Sequence, residues 1–142
     1  MRAITSTLQL LLSVFAILQV AIAVLNIGLV RFLKWKDDLD QLPLLLRQVF
    51  MAHLWFISLT LAIFGVMTWR FSTEMAASSD RASVWLAGAI GLFWGVRVVL
   101  QIAYYSASHW RGQAGRTMIH AALVLVYGGM GSVYLLVAPR AW

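Results

Sequence analysis

The sequence predicts an all-α membrane protein: a polytopic, antiparallel bundle of four transmembrane helices, with a short interfacial helix between spans one and two. Three observations support this fold class. Four apolar stretches each reach or exceed the ~20 residues that cross a ~30 Å hydrocarbon core. The 142 residues are 62% hydrophobic, and only 11% are charged, a composition that is hard to keep soluble. We therefore expect one transmembrane domain over 1–142.

The predicted spans follow one another with short connections. They cover approximately 8–30, 44–69, 84–105 and 118–138. The first resembles a signal peptide, but it is longer than the apolar region of such a peptide, so we expect an uncleaved span. Residues 31–40 mix charged and large apolar side chains, a pattern typical of a helix that lies along the headgroups.

Basic residues beside the spans predict the topology. Loops one and three, with the start of span two, carry six Lys and Arg residues, whereas the opposite side carries four. This difference favours loops one and three in the cytoplasm and both termini outside. We expect a multi-pass protein of the cell membrane that contacts lipids. The net charge of +6 lies mostly at these span ends, so we expect no nucleic-acid partner.

Strongly polar residues within the spans gather in the leaflet half that adjoins loops one and three. Arg97 is the most costly of them, because a cation within a span costs at least ~2.5 kcal/mol on the mildest insertion scale. The predicted binding residues are His53, Arg97, Gln101, Tyr104, His120, Arg47 and Asn26. None of these residues is a carboxylate, so the set would suit an anionic or carbonyl-bearing ligand.

Span three is predicted to have two different faces. At 100° per residue, Arg97, Gln101 and Tyr104 form a polar stripe on one face. Gly91 and Gly95 lie mostly on the other face, where small residues favour close helix contact. The glycines serve equally well for contacts within one bundle or between two copies.

Two interpretations of the polar residues stay open. In the first, they hydrogen-bond between helices and fix the register of the bundle. In the second, they hold a guest. His53 and His120, the only histidines within the spans, are candidate ligands for the iron of haem b, with Arg47 or Arg97 pairing with its propionates. A quinone or a lipid headgroup would fit the same donors.

The sequence argues against several enzyme classes. The absence of cysteine excludes thiol chemistry and Fe–S clusters. The predicted spans hold no Asp or Glu, which argues against a metal-dependent hydrolase and a proton-coupled exporter. We find no acid–base pair that would mark a catalytic site, so we assign no catalytic residue. An enzyme that acts on a lipid-soluble substrate stays open as a third interpretation.

Three runs of the sequence resemble a group of small uncharacterised bacterial four-helix membrane proteins. They are RQVFMAH over 47–53, FWGVRVVLQ over 93–101 and HWRG over 109–112. The resemblance implies a bacterial inner membrane. It brings no assigned activity and no functional residue.

The function predicted first is that of a non-catalytic accessory or structural subunit, or helper, of a larger membrane complex, for example an energy-transducing one. A small bundle with aromatic-rich flanks, glycine seams and little mass outside the membrane suits packing beside other helices. Its partners would be other membrane subunits or a second copy. The alternative is a redox or binding module that holds haem b, a quinone or a lipid.

Overall fold

The structure, a computed structural model, describes residues 2–104 and 114–138, and all regular structure within these ranges is helical. The helices are α1 (Arg2–Phe32), α2 (Lys36–Asp40), α3 (Leu44–Ala77), α4 (Arg81–Ala103) and α5 (Ala114–Val137). Four of them, all but α2, are long and apolar enough to cross a membrane. The predicted all-α class is confirmed, with a short helix between the first two spans, and a four-helix bundle is consistent with it.

The second long helix continues beyond the predicted span. The apolar stretch ends at Trp69, but α3 runs to Ala77 and therefore includes Glu74. The backbone leaves helical geometry at Phe71, with φ −109° and ψ 15°, and marks a kink where the apolar stretch ends. Only residues 78–80 then connect α3 to α4, so this connection is shorter than the sequence predicts.

Local hydrogen bonds explain where these helices end. At the end of α3, Ser78 adopts a left-handed φ of 50°. The Ser79 N–H donates to the carbonyl of Glu74 and the Ser78 N–H to that of Met75, which is the Schellman arrangement. The next helix begins at once, because the Asp80 carboxylate accepts a 2.9 Å hydrogen bond from the Ser83 N–H.

The chain forms two compact units: residues 13–70 are one, and 1–12 with 71–142 are the other. In the first unit, α1 and α3 approach closely at Gly65, where a Cβ would lie 2.7 Å from the Ala16 carbonyl oxygen. In the second unit, α4 and α5 pack as an antiparallel hairpin. The prediction of a single domain stays a prediction.

Glycines set the distance between α4 and α5. A Cβ on Gly131 would lie 3.3 Å from the backbone nitrogen of Gly95, and one on Gly91 would lie 3.0 Å from that of Leu135. The predicted close contact at the glycines of span three is therefore present, within the chain. The expectation of two opposite faces was wrong, since the polar stripe also contacts α5, nearer the N-terminus of that helix.

Candidate functional site

A hydrogen-bonded chain of three polar side chains links α4 to α5. Arg97 Nη1 donates to Gln101 Oε1 over 2.8 Å, one helical turn along α4. Gln101 Nε2 lies 3.0 Å from His120 Nδ1 on α5. Gln101 is buried, whereas the other two side chains are half-buried. The structure thus brings together three of the predicted binding residues, and we call them the polar cluster.

The chemistry of these partners fixes the tautomer of His120. A guanidinium only donates hydrogen bonds, so the oxygen of the Gln101 amide faces Arg97 and its NH₂ group faces His120. An amide NH₂ also only donates, so Nδ1 of His120 accepts. The neutral ring therefore carries its proton on Nε2. In this tautomer Nδ1 accepts from Gln101 and Nε2 carries the proton. The role of His120 as a haem ligand stays a prediction.

Two stacked aromatic rings support the arginine end of the polar cluster. The Arg97 Cζ atom lies 5.0 Å from the centroid of the Tyr127 ring, within the range of a cation–π contact. Tyr127 stacks on Trp94 with centroids 5.0 Å apart and an interplanar angle of 28°. Both rings are buried. Tyr127 was not among the predicted binding residues, although it lies two turns from His120 on the same face of α5.

The structure gives Tyr104, Arg47 and Asn26 other environments. Tyr104 caps the C-terminal end of α4 and is 81% exposed. In the other unit, Arg47 makes a 2.6 Å ion pair with Asp40, which joins α2 to the start of α3. Asn26 is half-buried on α1 of that unit. Asp40, an acidic residue of the first loop, therefore pairs with a basic residue of its own unit.

His53 lies on the exposed side of α3. Its Nδ1 is 2.9 Å from the carbonyl oxygen of Val49. A carbonyl only accepts, so Nδ1 carries the proton and Nε2 of the neutral ring is bare. His53 and His120 therefore hold opposite tautomers. Around His53 lies a shallow apolar hollow of about 300 Å³, lined by Phe50, His53, Leu54, Phe56 and Ile57; we call these residues the His53 surface.

Neither the polar cluster nor the His53 surface contains an Asp or Glu residue. No group of three or more His, Cys, Asp and Glu residues suited to a metal ion occurs among the described residues. The polar cluster can donate hydrogen bonds to a carbonyl or phosphoryl oxygen, and it has no carboxylate to act as a base. His109 and the HWRG run lie outside the described residues.

The fold and the polar cluster define a multi-pass helical membrane protein whose α4–α5 hairpin is joined by partly buried polar contacts. Comparisons with protein-family models, curated proteins and solved structures find no match to the chain. The resemblance to a bacterial group of four-helix proteins stays a prediction.

Proposed function

We propose that this chain is a non-catalytic subunit of a larger membrane assembly and that α3 contacts a partner through the His53 surface. The observation that supports this function is the exposed imidazole of His53 on an apolar helix. Its one hydrogen bond among the described residues goes to its own helix. Lipid tails offer no further partner, whereas a neighbouring subunit can supply a donor to Nε2.

The spacing of the charged residues along α3 supports a position of His53 at hydrocarbon depth. Positions 48–69, between Arg47 and Arg70, hold 22 residues without formal charge. At ~1.5 Å per residue they cover about 33 Å, close to the thickness of a hydrocarbon core. If the two arginines lie at the two interfaces, His53 lies about 9 Å inside one of them. A polar ring at that depth is costly unless another protein covers it.

The polar cluster supports the same proposal from the other unit. The Gln101 amide bonds both the Arg97 guanidinium on its own helix and the His120 imidazole on α5, and Tyr127 lies against the guanidinium. Such contacts between two helices fix their register. We therefore assign these residues the structural role and assign the partner contact to His53.

Site-specific photo-crosslinking tests this proposal. A benzophenone amino acid replaces Phe56, which is 72% exposed on the His53 surface. Illumination of native membranes should give a discrete protein adduct. Adding His53→Phe should remove that adduct, because the new side chain keeps the bulk and loses the hydrogen-bond acceptor.

The control places the same crosslinker at Leu125, which is 74% exposed on α5. This position should give lipid adducts alone. Lipid adducts alone at Phe56 as well would contradict the proposal, as would a protein adduct that does not respond to His53→Phe.

A cofactor-binding module is the second candidate, and the tautomer of His53 favours it. A metal-bound histidine commonly donates its other ring N–H to a carbonyl, which is the arrangement of His53 with Val49. The bare Nε2 would then ligate haem iron at the contact with a partner. Reduced haem bands that disappear in His53→Ala and persist in His120→Phe would support this function, and a purified assembly without such bands would exclude haem.

A further inference from the structure

A second candidate site lies between α1 and α3, further along α3 than the His53 surface. There, a groove of about 760 Å³ runs along the surface of the unit formed by residues 13–70. Its lining is Ala16, Ile17, Val20, Ala21, Gly65, Val66, Trp69 and Arg70. The volume falls within the ~300–1,000 Å³ range of ligand pockets. We call it the α1–α3 groove.

Small residues create the α1–α3 groove. Gly65 lets the two helices approach until an added Cβ would lie 2.7 Å from both the Ala16 carbonyl oxygen and a Val20 methyl group. Ala21 lines the groove beside them, and its small side chain does not fill it. The larger side chains of Ile17 and Val66 stand beside this narrow floor and are 60% and 61% exposed. The result is a concave, exposed apolar surface.

One end of the groove is charged. Arg70 is the first formally charged residue after the apolar stretch of α3, so it marks the level of the lipid headgroups. Trp69 lies beside it and is 60% exposed, as is typical of an indole at a membrane interface. An apolar groove that ends in a cation at headgroup level matches an amphiphile with an anionic head.

We propose that the α1–α3 groove is a binding site for an anionic phospholipid. One acyl chain lies in the groove between Ile17 and Val66, and the phosphate pairs with the Arg70 guanidinium. The lining from Gly65 to Arg70 spans about 8 Å of helix, so it holds the part of the chain nearest the glycerol. The charge at one end favours a lipid over an apolar helix as the occupant.

Native mass spectrometry of the full chain tests this site. Delipidated protein in a neutral detergent is titrated with dioleoyl phosphatidylglycerol or dioleoyl phosphatidylcholine, which share acyl chains and differ in net charge. We expect one saturable phosphatidylglycerol adduct and weaker phosphatidylcholine binding. Arg70→Gln should weaken the phosphatidylglycerol adduct about fivefold, the worth of one cation beside anionic lipid.

Two further variants separate the groove from general surface charge. Ala21→Phe fills the groove from an exposed position and should abolish the saturable adduct. Arg81→Gln makes the same charge change at the start of α4, outside the groove, and should leave the adduct unchanged. Circular dichroism and gel filtration check that each variant is folded.

Three results of these titrations would overturn the proposal. They are equal binding of the two lipids, an equal effect of Arg81→Gln and Arg70→Gln, and a saturable adduct that survives Ala21→Phe in folded protein. The chain has no cysteine, so Ile17→Cys provides a unique thiol. Efficient disulfide dimers of this variant in membranes would show that a second copy covers the groove, which also overturns the proposal.

Discussion

Removal of the Gln101 amide tests the structural role of the polar cluster. Gln101→Leu keeps the volume of the side chain nearly unchanged and removes two contacts: the bond from Arg97 Nη1 and the bond to His120 Nδ1. Hydrogen bonds between helices in a membrane contribute ~0.6 kcal/mol on average and up to ~1.7 kcal/mol. A hydrogen bond to a charged group contributes ~1.5–3 kcal/mol, and we take the low end because Arg97 is only half-buried. We expect a loss of about 2 kcal/mol in the free energy of unfolding.

The assay is reversible unfolding in mixed micelles, followed by circular dichroism, with Gln9→Leu as the matched control. Gln9 Nε2 donates an exposed, neutral hydrogen bond to Thr73, so the loss for the control should be smaller, about 0.5 kcal/mol. A double-mutant cycle with His120→Phe should give a coupling energy of about 0.6–1.7 kcal/mol. A loss for Gln101→Leu no larger than that of the control would refute the structural role.

Three other predictions concern the glycine contact and the histidines. In the same unfolding assay, Gly91→Ala should destabilise the hairpin by about 1–3 kcal/mol, because its Cβ would meet Leu135. Gly95→Ala should be neutral or slightly stabilising, because its Cβ would meet nothing within 4 Å. Long-range ¹H–¹⁵N spectra at alkaline pH should show the proton on Nε2 of His120 and on Nδ1 of His53; the same tautomer for both rings would contradict the hydrogen bonds described. In any haem-containing preparation, His120→Phe should leave the reduced haem absorption bands unchanged. Loss of these bands in the variant would indicate that His120 is an iron ligand.

The sequence was sufficient to predict the long helices and part of the polar cluster. Length and apolar composition identify a membrane-spanning helix directly, because the bilayer sets both. Arg97 and Gln101 are four residues apart, so helical periodicity alone places them on one face. Gln101 lies near the C-terminal end of α4, and His120 lies near the N-terminal end of α5. Since the two helices are antiparallel neighbours, these ends lie side by side.

Other features depend on geometry that hydropathy does not report. The part of α3 that follows Trp69 was predicted to be a loop, because its polar residues lower the hydropathy. The same residues have sufficient helix propensity to continue the helix through Glu74. The direction of His53 is equally hidden, since α3 is apolar around its whole circumference and has no periodic pattern to orient it. The tautomers depend on which atom of each partner donates, and this follows only from the hydrogen bonds.

Detergent-free extraction into polymer nanodiscs, followed by native mass spectrometry, tests our claim that this chain works as a bound subunit. We expect the chain in a fixed integer ratio with a membrane partner. His53→Phe should release the partner, and the control Leu125→Phe should retain it. Particles that contain one 15.9 kDa chain and lipid alone, from wild-type membranes, would contradict the claim.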